Sequence, residues 1–252
     1  MVNVNNFFNN PNLKVVEEMG GVKVLEYQKD ITMNPAAAAP LYFCDQMGVR
    51  KRQVAIELKG NSYTVQSGAM QWTLGAVEST TGVKSAGDLL GKMVKGAVTG
   101  ESAIKPEYKG NGLLVLEPSY KFILLEDPAN WNGGMVVDDG MFLASESTVQ
   151  HKISRRSNLS SAVAGGEGLF NLCLAGKGVA VLESPVPRAE LIEINLENDT
   201  VKIDGNYAVA WSGSLQFTVE RSSKSLIGSA VNGEGLVNVY RGTGKILMAP
   251  VR

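Results

Sequence analysis

Short apolar runs of four to seven residues recur along the whole chain, broken by glycine pairs and closed by proline. Runs of this length, rich in Val, Leu, Phe and Tyr, have strand length and strand composition. Three such runs follow the same signature. Gly110-Asn111-Gly112 precedes LLVLEP, Gly176-Lys177-Gly178 precedes VAVLESP, and Gly242-Thr243-Gly244 precedes KILMAP. The first glycines of these motifs are 66 residues apart both times. Proline cannot donate to an interior ladder, so Pro118, Pro185 and Pro250 mark strand ends.

Two further signals keep the same order. Gly100-Glu101-Ser102, Gly166-Glu167-Gly168 and Gly233-Glu234-Gly235 lie just upstream of the three motifs. Gly60-Asn61, Asp139-Gly140 and Gly205-Asn206 open three similar segments, SYTVQSGAMQWTL, MFLASESTVQHKI and YAVAWSGSLQFTV. In these, Gln71, Gln150 and Gln216 stand just before the last strand, and His151 aligns with Trp72 and Phe217. Repeated order of this kind is the mark of a repeat architecture. The reading is an all-β chain with three tandem β repeats, at 52–118, 119–185 and 186–250, in a pseudo-threefold arrangement. Gly-Asn, Asp-Gly and G-x-G are expected to close hairpins, because glycine accepts positive φ. Residues 1–51 form an N-terminal extension packing on the repeats. It holds a helix candidate at Asn12–Met19 and a strand candidate at Val22–Tyr27. The first repeat carries an insertion near 82–99, where Leu89, Leu90, Met93, Val94 and Val98 fit one face of a short helix.

The combined order of Gly-Glu-Gly/Ser, G-x-G, apolar strand and proline resembles the AIM24 family, formerly a domain of unknown function, from about Val54 to Pro250. The second and third copies match best; the first has Ser102 for the second glycine, and Pro106 interrupts its next strand. The resemblance implies a fold like that of the tryptophan RNA-binding attenuation protein, a short double-stranded β-helix variant. Fungal relatives are associated with mitochondrial membrane organisation, and no activity is attached to bacterial-looking members.

Composition narrows the chemistry. The net charge is -1, so no general basic excess is available to neutralise phosphates, and nucleic-acid binding is disfavoured. There is one histidine and there are two well-separated cysteines, Cys44 and Cys173, which leaves no set for His-dependent triads or for zinc. No signal peptide and no apolar run of membrane-spanning length is read, so the expectation is a cytoplasmic protein without a transmembrane segment. Glu101, Glu167 and Glu234 are the sharpest polar signal. If they converged on an axis they would require a cation such as Ca²⁺ or Mg²⁺; the simpler reading is turn capping, with Arg155 and Arg221 as partners. The G-x-G motifs lack the spacing and following helix of a phosphate loop and are read as structural turns. Arg50, Lys51, Arg52, Arg155 and Arg156, near Tyr63, Trp72, Tyr207 and Trp211, suggest single-stranded RNA stacking, so the alternative function is a binding module for single-stranded RNA or a small ligand. The principal expectation is a non-enzymatic homo-oligomeric β scaffold, a trimer being favoured, with no cofactor.

Overall fold

The computed structural model describes residues 4–30, 34–81, 105–155, 170–221 and 236–251. Fifteen strands form two sheets among these residues. The first sheet holds β1 (Leu13–Met19), β2 (Val22–Tyr27), β3 (Arg52–Val65), β4 (Met70–Thr80), β5 (Glu107–Leu116), β6 (Phe122–Glu126), β8 (Phe142–Glu146) and β11 (Ala180–Ser184). The second holds β7 (Met135–Val137), β9 (Gln150–Arg155), β10 (Phe170–Ala175), β12 (Ile192–Asp204), β13 (Ala208–Ser212), β14 (Gln216–Arg221) and β15 (Leu236–Met248). One short helix, α1 (Ala38–Gln46), follows a 3₁₀ turn that starts at Pro35 with Asn34 as its N-cap.

The first sheet runs β1-β2-β3-β8-β11-β6 and curls until its two ends approach one another. At that seam the half-buried Glu17 carboxylate of β1 accepts from the Leu125 N–H of β6; desolvation is the main reason its pKa is raised. Val24, Ile56, Tyr63, Leu114, Leu116 and Val181 form one core inside this curl. A second core, with Met135, Phe142, Leu174, Leu182 and Leu247, joins the two sheets. A third fills the second sheet with Trp211, Phe217, Tyr240 and Ile246.

The same ladders occur at three places. Thr73↔Leu114, Trp72↔Val115 and Met70↔Leu116 in β4–β5 have the spacing of Ser145↔Ala180, Ala144↔Val181 and Phe142↔Leu182 in β8–β11. Trp211↔Ile246, Ala210↔Leu247 and Ala208↔Met248 in β13–β15 share it as well. Each includes the same one-residue irregularity, and each is followed by the same hydrogen bond: Glu117 N–H to Ala69, Glu183 N–H to Met141, and Ala249 N–H to Tyr207. A second ladder behaves likewise: Ile56↔Leu114, Glu126↔Ala180 and Ile194↔Ile246 are its three occurrences.

Several sequence expectations are corrected. Asn12–Met19 is not helical; it ends in strand β1, paired with β2. Gly60-Asn61 closes no hairpin: it lies inside β3 at a register shift between Lys59 and Ser62. Ser67-Gly68 takes the place that Asp139-Gly140 holds before β8, because Gln66 N–H bonds Leu143 as Asp138 N–H bonds Val209. Asp139-Gly140 leads from β7 in one sheet to β8 in the other, and Gly205-Asn206 links β12 to β13, which do not pair with each other. G-x-G closes no hairpin either. Gly110-Asn111-Gly112 and Gly242-Thr243-Gly244 lie within the continuous strands β5 and β15, and Gly176-Lys177-Gly178 carries the chain from β10 in one sheet to β11 in the other. His151 and Phe217 sit opposite Leu174 and Tyr240, but the residue opposite Tyr108 is Ser79, not Trp72. The insertion near 82–99 lies outside the described residues.

Candidate functional site

Gly110 and Gly112 mark a close backbone crossing. A Cβ on Gly110 would stand 2.0 Å from the Ala76 carbonyl oxygen, and one on Gly112 2.0 Å from that of Leu74. Gly178 is confined by the Thr148 hydroxyl at 2.4 Å and Gly244 by the Ser212 side chain at 2.7 Å. Gly176 and Gly242 have positive φ, 97° and 119°. The motifs are therefore crossings between packed strands. The Gly178 N–H donates to the Asp127 carboxylate at 3.3 Å, so an acid of the chain itself occupies a donor that a phosphate would need.

Glu101, Glu167 and Glu234 all lie outside the described residues, as do Arg156 and the side chains of Arg155 and Arg221. The described residues contain no group of three or more His, Cys, Asp or Glu side chains placed to hold a metal ion.

The basic cluster at 50–52 is matched by acids from distant parts of the chain. Arg52, 7% exposed, donates to Glu26 at 2.7 Å and lies 4.0 Å over the Phe122 ring. Arg50 donates to Gln28 at 2.7 Å and lies within 3.5 Å of Asp45 and 3.8 Å of Glu26. Lys51 pairs with Asp30, which holds its pKa up. Tyr27, Leu41, Tyr42, Arg50, Lys51 and Tyr120 line a cavity of about 390 Å³ beside this network. Burial pushes the Tyr27 phenol up, and its hydroxyl donates to Gln53 at 2.9 Å. Short-range attraction among these groups leaves little field for a distant phosphate.

Two of the aromatic residues singled out for stacking, Tyr63 and Trp211, face inward. Tyr63 and Trp211 are buried, and burial drives the Tyr63 phenol far up. Trp211, Phe217 and Tyr240 pack on one another with centroids 5.0 to 5.5 Å apart. Trp72 is half-buried, its ring 5.2 Å from that of Phe7. Tyr207 packs against the same core as Trp211. Bases cannot reach the buried faces of Tyr63 and Trp211.

His151 Nε2 stands 2.8 Å from the Ser145 hydroxyl, and its ring meets Phe142 edge-on at 5.0 Å. Burial of the ring, with Lys105 nearby, lowers its pKa to about 4. Such an imidazole is neutral at pH 7 and a weak base. Cys173 is buried, which pushes its thiol up and makes it a poor nucleophile.

A feature the sequence reading missed is a groove of about 660 Å³ where Val4, Phe8 and Asn9 lie across the outer face of the first sheet. Leu74 and Leu113 form its floor, with Lys23 and Glu57 beside them. The Phe7-Phe8 pair was the one available signal: Phe7 buries against Leu25, Ala55 and Val115 and anchors this segment.

No helix among the described residues is long and apolar enough to cross a membrane. A Streptococcus pyogenes serotype M6 protein recorded as uncharacterised is 31% identical over 203 residues, 77% of this chain and 79% of its own length. The crystal structure of a further Streptococcus pyogenes protein superposes with a TM-score of 0.59 at 27% identity, covering 81% of this chain and 89% of that one. The family described as mitochondrial biogenesis AIM24 matches residues 46–251, and the chain belongs to that family.

Proposed function

We propose that this AIM24-family chain is a non-enzymatic β scaffold of the cytoplasm, built of three tandem units and working as a homo-oligomer, with a trimer favoured by its three-unit plan. The observation that carries this reading is the recurrence of one ladder, with one irregularity, at Val115, Val181 and Leu247. On this reading the three segments that pair alike are three copies of one fold unit, and repeat units of this kind bury a continuous core by packing on their neighbours. A fold related to the tryptophan RNA-binding attenuation protein accords with units that associate through strand edges. The inward-facing aromatics, the internally matched arginines and the weakly basic His151 favour a packing role over ligand turnover. Light scattering on the purified chain tests this: the expected mass at micromolar concentration is a multiple of 26.9 kDa, and a single species of 26.9 kDa would refute the oligomer.

A further inference from the structure

Adjacent units are joined by one further ladder. In the first junction Tyr63↔Glu146, Thr64↔Ser145 and Val65↔Ala144 bring β3 against β8. In the second, Met135↔Ser212, Val136↔Trp211 and Val137↔Ala210 bring β7 against β13. The members of each pair hold the same places in their units: Tyr63, Met135 and Val201 face Tyr108, Leu174 and Tyr240, while Thr73, Ser145 and Trp211 face Leu114, Ala180 and Ile246. Continuing the series, the third junction would pair Val201 with Leu74, Lys202 with Thr73, and Ile203 with Trp72. Within the described residues of the chain this ladder is not made. β4 pairs only with β5, and β12 only with β15.

The two vacant edges are complementary and belong to opposite ends of the series. Thr73 and Lys202 are exposed, and Leu74 and Val201 are half-buried. An edge of this kind is a template for another strand. Because the two edges differ, the contact they form is heterologous, so each chain offers β12 to the β4 of the next. We propose that the partner of these edges is a second copy of this chain, joined antiparallel in the register Lys202↔Thr73, continuing between chains the ladder that joins units within one. This rests on the oligomeric reading above and specifies its contact.

Cysteine cross-linking tests the register. Residues directly opposite across an antiparallel pair bring their Cα atoms to about 4.5–5.5 Å, inside disulfide reach. Thr73→Cys and Lys202→Cys would be made separately in a Cys44→Ser background, with buried Cys173 retained, then mixed under mild oxidation. Both substituted positions are exposed, so the fold tolerates them. The expected result is a covalent dimer in the mixture and none from either variant alone. The register control is Asp199→Cys, about 10 Å further along the strand, which is expected to give none with Thr73→Cys. Cross-linking of one variant with itself would mean a two-fold contact and overturn the proposal. So would an internal cross-link in a chain carrying both substitutions, because the third junction would then close within one molecule. If light scattering finds an oligomer and the mixture gives no dimer, the edge contact is wrong and the scaffold reading stands. If the chain is monomeric, both fall.

Discussion

His151 is the only histidine, and its surroundings decide what it does. Its Nε2 faces the Ser145 hydroxyl, which is fully buried, and removing the imidazole leaves that hydroxyl without this partner at a cost of about 1–2 kcal/mol. The folded state holds the pKa near 4, against about 6.5 in an unfolded chain. A lowered imidazole pKa means that the folded state binds the proton less readily than the unfolded one. Its contribution is complete above pH 6.5 and is lost as the pH falls from there toward 4. His151→Phe places at 151 the residue that stands opposite Tyr240 at position 217. We expect this variant to melt below the wild type at pH 7 and to close or reverse the gap by pH 4.5. A gap in melting temperature that does not change with pH would mean that the ring is not held neutral by the fold. The sequence reading made the histidine a packed residue, whereas the fold leaves it exposed on β9 with its Nε2 against Ser145; that partner was not legible, because the serine hydroxyl carries no pattern of its own.

At the scale of elements, glycine spacing carried real information about where strands cross and misled about how they connect. A positive φ serves a hairpin turn, a bulge or a bend within a strand equally well. Gly60 sits at a bulge with open space where a Cβ would go, whereas Gly110 has φ of 131° and the Ala76 oxygen 2.0 Å from that position. Gly60→Ala is therefore expected to cost about 1 kcal/mol, from strain alone. Gly110→Ala should cost roughly 2–4 kcal/mol, because β4 must also move away from β5. Urea unfolding of the two variants separates these cases, and equal losses would show that the close crossing does not matter. The N-terminal segment was misread for a related reason. LKVVEEM suits a helix or a strand, and pairing with VKVLEY decided for the strand, leaving Val15 and Val16 on the exposed side. The pairing of Arg50, Lys51 and Arg52 with Asp45, Asp30 and Glu26 was hidden because those acids lie up to 26 residues away and reach the cluster only through the fold of β2 and the turn after α1.

For the whole molecule, the sequence signal for repetition was the G-x-G motif, whose first glycines stand 66 residues apart both times, and one strand ladder recurs at Val115, Val181 and Leu247. The alignment of the first unit slipped at Gly60, and the correct opening, Ser67-Gly68, follows from the ladders and not from residue similarity. What no single sequence reveals is that β3 pairs with β8 and β7 with β13, whereas β4 and β12 each pair on one side only among the described residues. On the proposed assembly, the two edges that matter are β4 and β12, strands of unlike sequence that among the described residues each pair on one side only. An assembly that uses them buries those backbone groups and slows their exchange with water. Hydrogen–deuterium exchange of the full chain across a dilution series therefore tests the central claim most directly. The outward amides of Trp72–Leu74 and Val201–Ile203 are expected to exchange slowly at high concentration, approaching those of Ala144–Glu146, and to become fast on dilution. Exchange at both edges that is fast at every concentration would contradict it.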